Sequence, residues 1–203
     1  MVLRSYIKIW AFIFTFCLVN SCSNDDDDNG ATFSATQFVD PRDGQTYDIV
    51  TIGTQTWFAE NLNYDLGDNS SVCYFLDDTN CFIYGRLYEG DIAQTACPEG
   101  WHLPSVEEYE TLFDYLGGIE TAHVFLAPFA HQQGQEIGFN LLAAGRHFGD
   151  WFDLGEIGYY YTSTPGGLRN SYRNMIYYKN NDEVTLTGVS SSGLNQSCRC
   201  IKD

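Results

Sequence analysis

Basic residues are scarce in this 203-residue chain: ten Lys and Arg stand against 27 Asp and Glu, for a formal net charge of −17. Such a surface repels phosphate backbones, so nucleic acid is excluded as an expected partner. Several catalytic signatures are also missing. There is no glycine-rich phosphate loop, no Gly-x-Ser-x-Gly elbow and no His-Glu-x-x-His pair. The four histidines, His102, His123, His131 and His147, are scattered and lack metal-ligand spacing relative to the cysteines. Carboxylates are numerous, but none sits in a context that implies a tuned acid and base. No metal or other cofactor is therefore expected, and the chain reads as a non-enzyme. Long apolar runs are lacking too. The longest, residues 9–19, is broken only by Thr15 and is shorter than the roughly 20 residues of a membrane-spanning helix.

What is present organises the chain into three parts. Residues 1–21 read as a signal peptide, with Arg4 and Lys8 ahead of the apolar run. The run closes in Leu18-Val19-Asn20-Ser21-Cys22, which resembles a bacterial lipobox; Cys22 is then the expected lipidation site and the membrane the expected partner. Asn20 departs from the usual residue at its position. Residues 22–36 read as a flexible tether, with Asp25-Asp26-Asp27-Asp28 resembling the acidic tag that directs some bacterial lipoproteins to the outer surface. Residues 37–203 form the folded domain. A hydrophobic content of 44% with 16% aromatics is enough to fill a core there. With both basic leader residues gone, the charge of the exported chain is −19.

Within the domain, 47–52 and 55–59 read as two strands joined by Gly53-Thr54. Residues 72–88 read as an aromatic loop. The best-defined helix follows Cys97-Pro98-Glu99-Gly100-Trp101-His102-Leu103-Pro104. Ser105 and Glu108 form a capping box, Val106, Tyr109, Leu112, Phe113 and Leu116 recur at helical spacing, and Gly117-Gly118 stops the run. A shorter helix is expected over 119–129. Strands are expected at 159–164, at 175–178 and 184–189 around an Asn180-Asn181-Asp182 turn, and at 197–201. One principal helix followed by late strands predicts a single α+β domain.

Of seven cysteines, Cys17 leaves with the signal and Cys22 goes to lipid, so five remain in an oxidising compartment. A Cys73–Cys81 bridge would staple a local loop. Cys97 with either Cys198 or Cys200 would close one of about 100 residues, and one thiol is left over. Trp57, Trp101, Trp151 and the Tyr159-Tyr160-Tyr161 run are candidates for a ligand-stacking platform, set against the ordinary core role of such residues.

The ordered motifs Val50-Thr51-Ile52-Gly53-Thr54-Gln55-Thr56-Trp57-Phe58-Ala59-Glu60-Asn61-Leu62, Tyr84-Gly85-Arg86-Leu87-Tyr88, Cys97 to Ser105, Gly138-Phe139-Asn140, Ala144-Gly145-Arg146 and Arg199-Cys200-Ile201-Lys202-Asp203 resemble the Fibrobacter succinogenes major paralogous domain across nearly all of 38–203. That family comprises exported or surface lipoprotein domains without a defined activity. Its single late cysteine implies Cys200 as the partner of Cys97, with Cys198 standing where another residue is usual. The Leu-Pro-Ser-x-x-Glu helix start and the terminal Arg-Cys resemble, more distantly, the C-type lectin-like fold that formylglycine-generating enzymes share. The calcium–sugar motifs of lectins and the paired active-site cysteines of those enzymes are absent. The expectation is therefore a C-type-lectin-like, disulfide-stapled domain on a bacterial outer-membrane lipoprotein, surface-exposed, for non-enzymatic binding or adhesion to a glycan or protein ligand. The rival expectations are an enzyme or enzyme accessory with an unrecognised site, and a structural envelope component.

Overall fold

The computed structural model describes residues 34–67, 69–127, 137–191 and 193–203. The signal, Cys22, the acidic run and His131 lie outside them. Strand β1 (Ser34–Val39) pairs antiparallel with β2 (Thr46–Ile52), so paired structure reaches back to Ser34, into the stretch assigned to the tether. Polar Thr36 and Gln37 on this edge strand hide it from a hydrophobicity pattern.

The expected hairpin is present: β2 turns at Gly53-Thr54 into β3 (Gln55–Phe58), with Val50 opposite Trp57. Gly53 has φ +60°, and a Cβ there would lie 2.9 Å from the Tyr115 ring, so conformation and space both require glycine. Side-chain alternation divides this hairpin between two cores. Val50, Ile52 and Trp57 face one, while Tyr47 and Phe58 face the other.

The first core is closed by α3 (Val106–Tyr115). Its capping box is formed as the spacing predicts: Ser105 Oγ accepts from Glu108 N–H at 3.1 Å, and Ser105 N–H donates to Glu108 Oε2 at 2.7 Å. Val106, Tyr109, Leu112 and Phe113 are buried, and Gly117 and Gly118, both at positive φ, end the run. Helix α4 (Ile119–Leu126) follows, within the expected 119–129; Phe129 is not among the described residues.

Residues 72–88, expected as a loop, are more ordered than that. After β4 (Ser71–Val72) come a 3₁₀ turn (Tyr74–Leu76), helix α1 (Asp78–Tyr84) and β5 (Leu87–Glu89). Asp77 caps α1 by accepting from Thr79 N–H at 2.9 Å, and Gly85 stops it. A seven-residue helix that buries only Cys81 leaves no apolar stripe for sequence reasoning to detect.

Between these parts lie α2 (Gly90–Ala93), β6 (Trp101–His102), β7 (Ala144–His147) and β8 (Trp151–Leu154). The late strands are β9 (Ile157–Pro165), β10 (Ser171–Tyr178) and β11 (Glu183–Ser191). The expected final strand over 197–201 is instead two, β12 (Asn195–Ser197) and β13 (Ile201–Lys202). They belong to different sheets, ordered β1-β2-β3-β13-β6 and β11-β10-β9-β7-β12-β5-β4, with β8 against β7. Residues 198–200 carry the chain across from one sheet to the other. The Cys198 and Cys200 carbonyls accept from Leu62 and Phe58 N–H, both at 2.9 Å, so this crossing is tied to the chain leaving β3. The result is a mixed α+β domain with two open sheets.

Candidate functional site

The crossing places Arg199 at the centre of the molecule. Its guanidinium is fully buried and donates to the carbonyls of Phe58 (3.1 Å), Phe139 (2.5 Å) and Asn140 (3.0 Å), and to Asn61 Oδ1 (2.6 Å). The rings of Phe139 and Tyr160 lie 4.8 and 5.8 Å from Cζ. Burial lowers its pKa, which nearby tyrosines counter. Among the described residues no carboxylate lies within ion-pair distance of it. The cation is held instead by converging dipoles, a geometry the planar fork of arginine suits.

These contacts set the floor of a half-open cleft of about 480 Å³, between the start of β2, the turn after β3, the last turn of α1 and Asn140. That size lies within the range of about 300–1,000 Å³ usual for small-ligand sites. Asn61, fully committed, passes the order of Arg199 outward by donating to Tyr84 O at 2.8 Å. Gly85 lies so close to Asn61 that a Cβ would approach the Asn61 Cβ to 2.7 Å. Asn140 holds φ +48°, its carbonyl bound to Arg199.

Two polar groups of the wall stand out. Asn63 Oδ1 is buried without a hydrogen-bond partner, while its Nδ2 donates to Gln45 Oε1 at 3.2 Å. Glu60 stands at the rim. Crowding by the wall raises its pKa, the charge of Asp48 adds to this, and Arg199 opposes it. Above them Phe82 is 88% exposed and Ile83 51%, both on α1. Phe75 and Leu76, on the preceding turn, are 62% and 74% exposed at positive φ. A disulfide between Cys73 and Cys81 braces this whole segment. Large apolar side chains held outward on a braced segment are a feature of binding surfaces.

The three tryptophans separate. Trp57 is fully buried between Tyr109 and Phe139, and Trp101 packs on Phe58 and Phe38. Both are core residues with no face for a ligand, a correction to the stacking expectation. Trp57 sits on β3 between β2 and β13, and Trp101 on the edge strand β6 turns its ring inward onto Phe58, placements that composition alone does not reveal. Tyr160 and Tyr161 are likewise fully buried, and their hydroxyls bond the backbone of Leu142 and Leu194. Trp151 alone is partly exposed. It packs against His147, Tyr74 and Phe75, away from the cleft.

A second disulfide joins Cys97 to Cys200 and so ties the approach to α3 to the chain's last strand. Cys198 is free and buried, and burial pushes its thiol far up, which makes it unreactive in the folded state.

His102 joins the same region from outside. Its Nδ1 lies 2.7 Å from Asp203 Oδ1 and its Nε2 2.8 Å from Glu108 Oε1. Both ring nitrogens are engaged, so no lone pair is left to act as a base, and the residue clamps the α3 entrance to the C-terminal strand. Partial burial pulls its pKa down, but the hydrogen bonds and charges of Asp203 and Glu108 outweigh this and raise it. An imidazole with a higher pKa folded than unfolded stabilises fully below about pH 6.5, and the contribution is lost as pH rises through the folded value. The urea midpoint of the native protein is therefore expected to exceed that of His102→Gln in mildly acidic buffer, with the difference shrinking at alkaline pH. A pH-independent difference would refute the clamp.

Fold and site together define a mixed α+β domain braced by two disulfides around a buried arginine. The model of the Fibrobacter succinogenes major domain matches residues 50–202, and the chain belongs to that family. No curated protein and no solved structure matches it. Glu60-Asn61, Gly85 and Asn140 line the cleft, and Arg199 bonds Asn61 and the carbonyls of Phe139 and Asn140 behind it; all of them lie within the motifs that carry the resemblance. Arg199 as their hub was not visible in the sequence. Its one signal was a lone arginine between two cysteines in a terminal strand.

Proposed function

We propose that this is the ligand-capturing domain of a bacterial lipoprotein, lipid-anchored to the outer membrane through Cys22 and facing outward on its acidic tether, and that the ligand is a neutral glycan held in the Glu60–Asn63 cleft without chemical turnover. The observation that carries this reading is Phe82, exposed on a disulfide-braced helix directly above a polar wall. A sugar ring presents hydroxyls at its edge and C–H groups on its face. Glu60 suits the edge, and the Phe82 ring suits the face. The acidic surface disfavours polyanionic glycans. Among the described residues, no second carboxylate and no histidine lines the cleft beside Glu60, whereas glycoside hydrolysis ordinarily employs a carboxyl pair.

A neutral-glycan array probed with the full chain tests the proposal. Retention of at least one glycan is expected, weakened more than about tenfold in Glu60→Ala, the scale of a lost charge-assisted hydrogen bond. Failure to retain any glycan, or release of shortened products from one, would overturn it.

A further inference from the structure

Phe82 does more than border the cleft. A second cleft, of about 300 Å³, adjoins the first, and its walls include Asp65, Asp78 and Arg86. Gln45, Asn63, Cys81 and Phe82 line both. The Phe82 ring thus stands on the shared wall as a ridge between two polar hollows.

The helix that carries Phe82 is held in place. Asp77 caps the start of α1, the Cys73–Cys81 disulfide ties the helix to the preceding turn, and Gly85 ends it against Asn61. The second hollow is also ordered: Arg86 Nη2 lies 2.6 Å from Asp65 Oδ2. Among the described residues, pairing of Arg86 with Asp65 leaves Asp78 as the one carboxylate of this hollow outside an ion pair, an acceptor suited to the hydroxyl edge of a neutral ligand.

From this juxtaposition, and resting on the glycan reading above, we infer that the ligand is a chain of at least two linked neutral sugar units, one seated in each hollow with the chain passing over Phe82. A single sugar fills one hollow and leaves the exposed ring uncovered. A linked pair covers the ring, and its second unit binds at the high effective concentration set by the linkage.

Calorimetric titration of the full chain tests this with glucose, mannose, galactose and N-acetylglucosamine, each beside its linked di- and tetrasaccharides. In the series that binds, the tetrasaccharide is expected to exceed the monosaccharide by at least about tenfold. Phe82→Ala is expected to reduce that ratio to about twofold or less, the loss of an aromatic contact and of the bridge between hollows. Leu168→Ala, also a highly exposed apolar residue but on the β9–β10 connection, is expected to preserve it. Equal affinity for monosaccharide and tetrasaccharide, or an unchanged ratio in Phe82→Ala, would overturn the two-hollow inference and leave the glycan reading standing. Absence of binding by every sugar would overturn both.

Discussion

Replacing Cys97 and Cys200 together with alanine is expected to lower the unfolding free energy by about 5 kcal/mol, against about 2.5 kcal/mol for Cys73 and Cys81. The two bridges differ in the chain they close, with sequence separations of 103 and 8. Cross-linking a longer loop removes more freedom from the unfolded chain, and the dependence is logarithmic, so a loop about thirteen times longer only doubles the effect. The long bridge also fastens the approach to α3 to β13, which lies between β3 and β6. Denaturant unfolding of the two double variants is the measurement. Equal losses, or a greater loss for the short bridge, would show that Cys97–Cys200 does not govern the topology. The pairing itself is read by alkylation without reductant: Cys198 is expected to stay unlabelled in the native protein and to take one equivalent after unfolding.

Arg199→Met is expected to cost about 4 kcal/mol or more, and to abolish ligand capture along with stability. The substitution keeps much of the side-chain volume but leaves three carbonyls and Asn61 Oδ1 without their donor. Each stranded buried acceptor costs about 1–3 kcal/mol. Relief of the buried charge offsets part of that sum, since an interior cation is itself unfavourable. Four acceptors outweigh one charge here. Arg199→Lys retains the charge but not the fork, and is expected to recover only part of the loss. Because Asn61 carries the order of Arg199 to Tyr84, the cleft floor loosens even where the fold survives. A variant with native stability and native binding would show that Arg199 does not organise the fold or the cleft.

How legible these features were in the sequence follows from whether their determinants are local. The α3 capping box, its apolar spacing and the Gly53-Thr54 turn each depend on a few adjacent residues, and each stands where it was expected. The division of 197–201 into two strands does not. It depends on which neighbours Cys198 and Cys200 meet, and those lie at Phe58 and Leu62, far back in the chain. Helix α1 escaped detection because its stability comes from a cap and a disulfide rather than from an apolar stripe. The cleft escaped for a related reason. Glu60, Asn63, Phe82 and Asn140 come from three separate stretches of chain, and no spacing among them announces a site. The aromatic richness that suggested stacking surfaces mostly fills the two cores. The ring that stands free above the cleft is a phenylalanine on a helix, not one of the expected tryptophans.

Capture of ligand over Phe82 at the Arg199-ordered cleft is read out by amide chemical shifts of the full chain titrated with the neutral tetrasaccharides named above. Perturbations are expected to concentrate at Glu60, Asn61, Asn63, Phe82, Gly85 and Asn140. Perturbations centred on His147, Trp151 and Phe75, with the cleft unmoved, would contradict it.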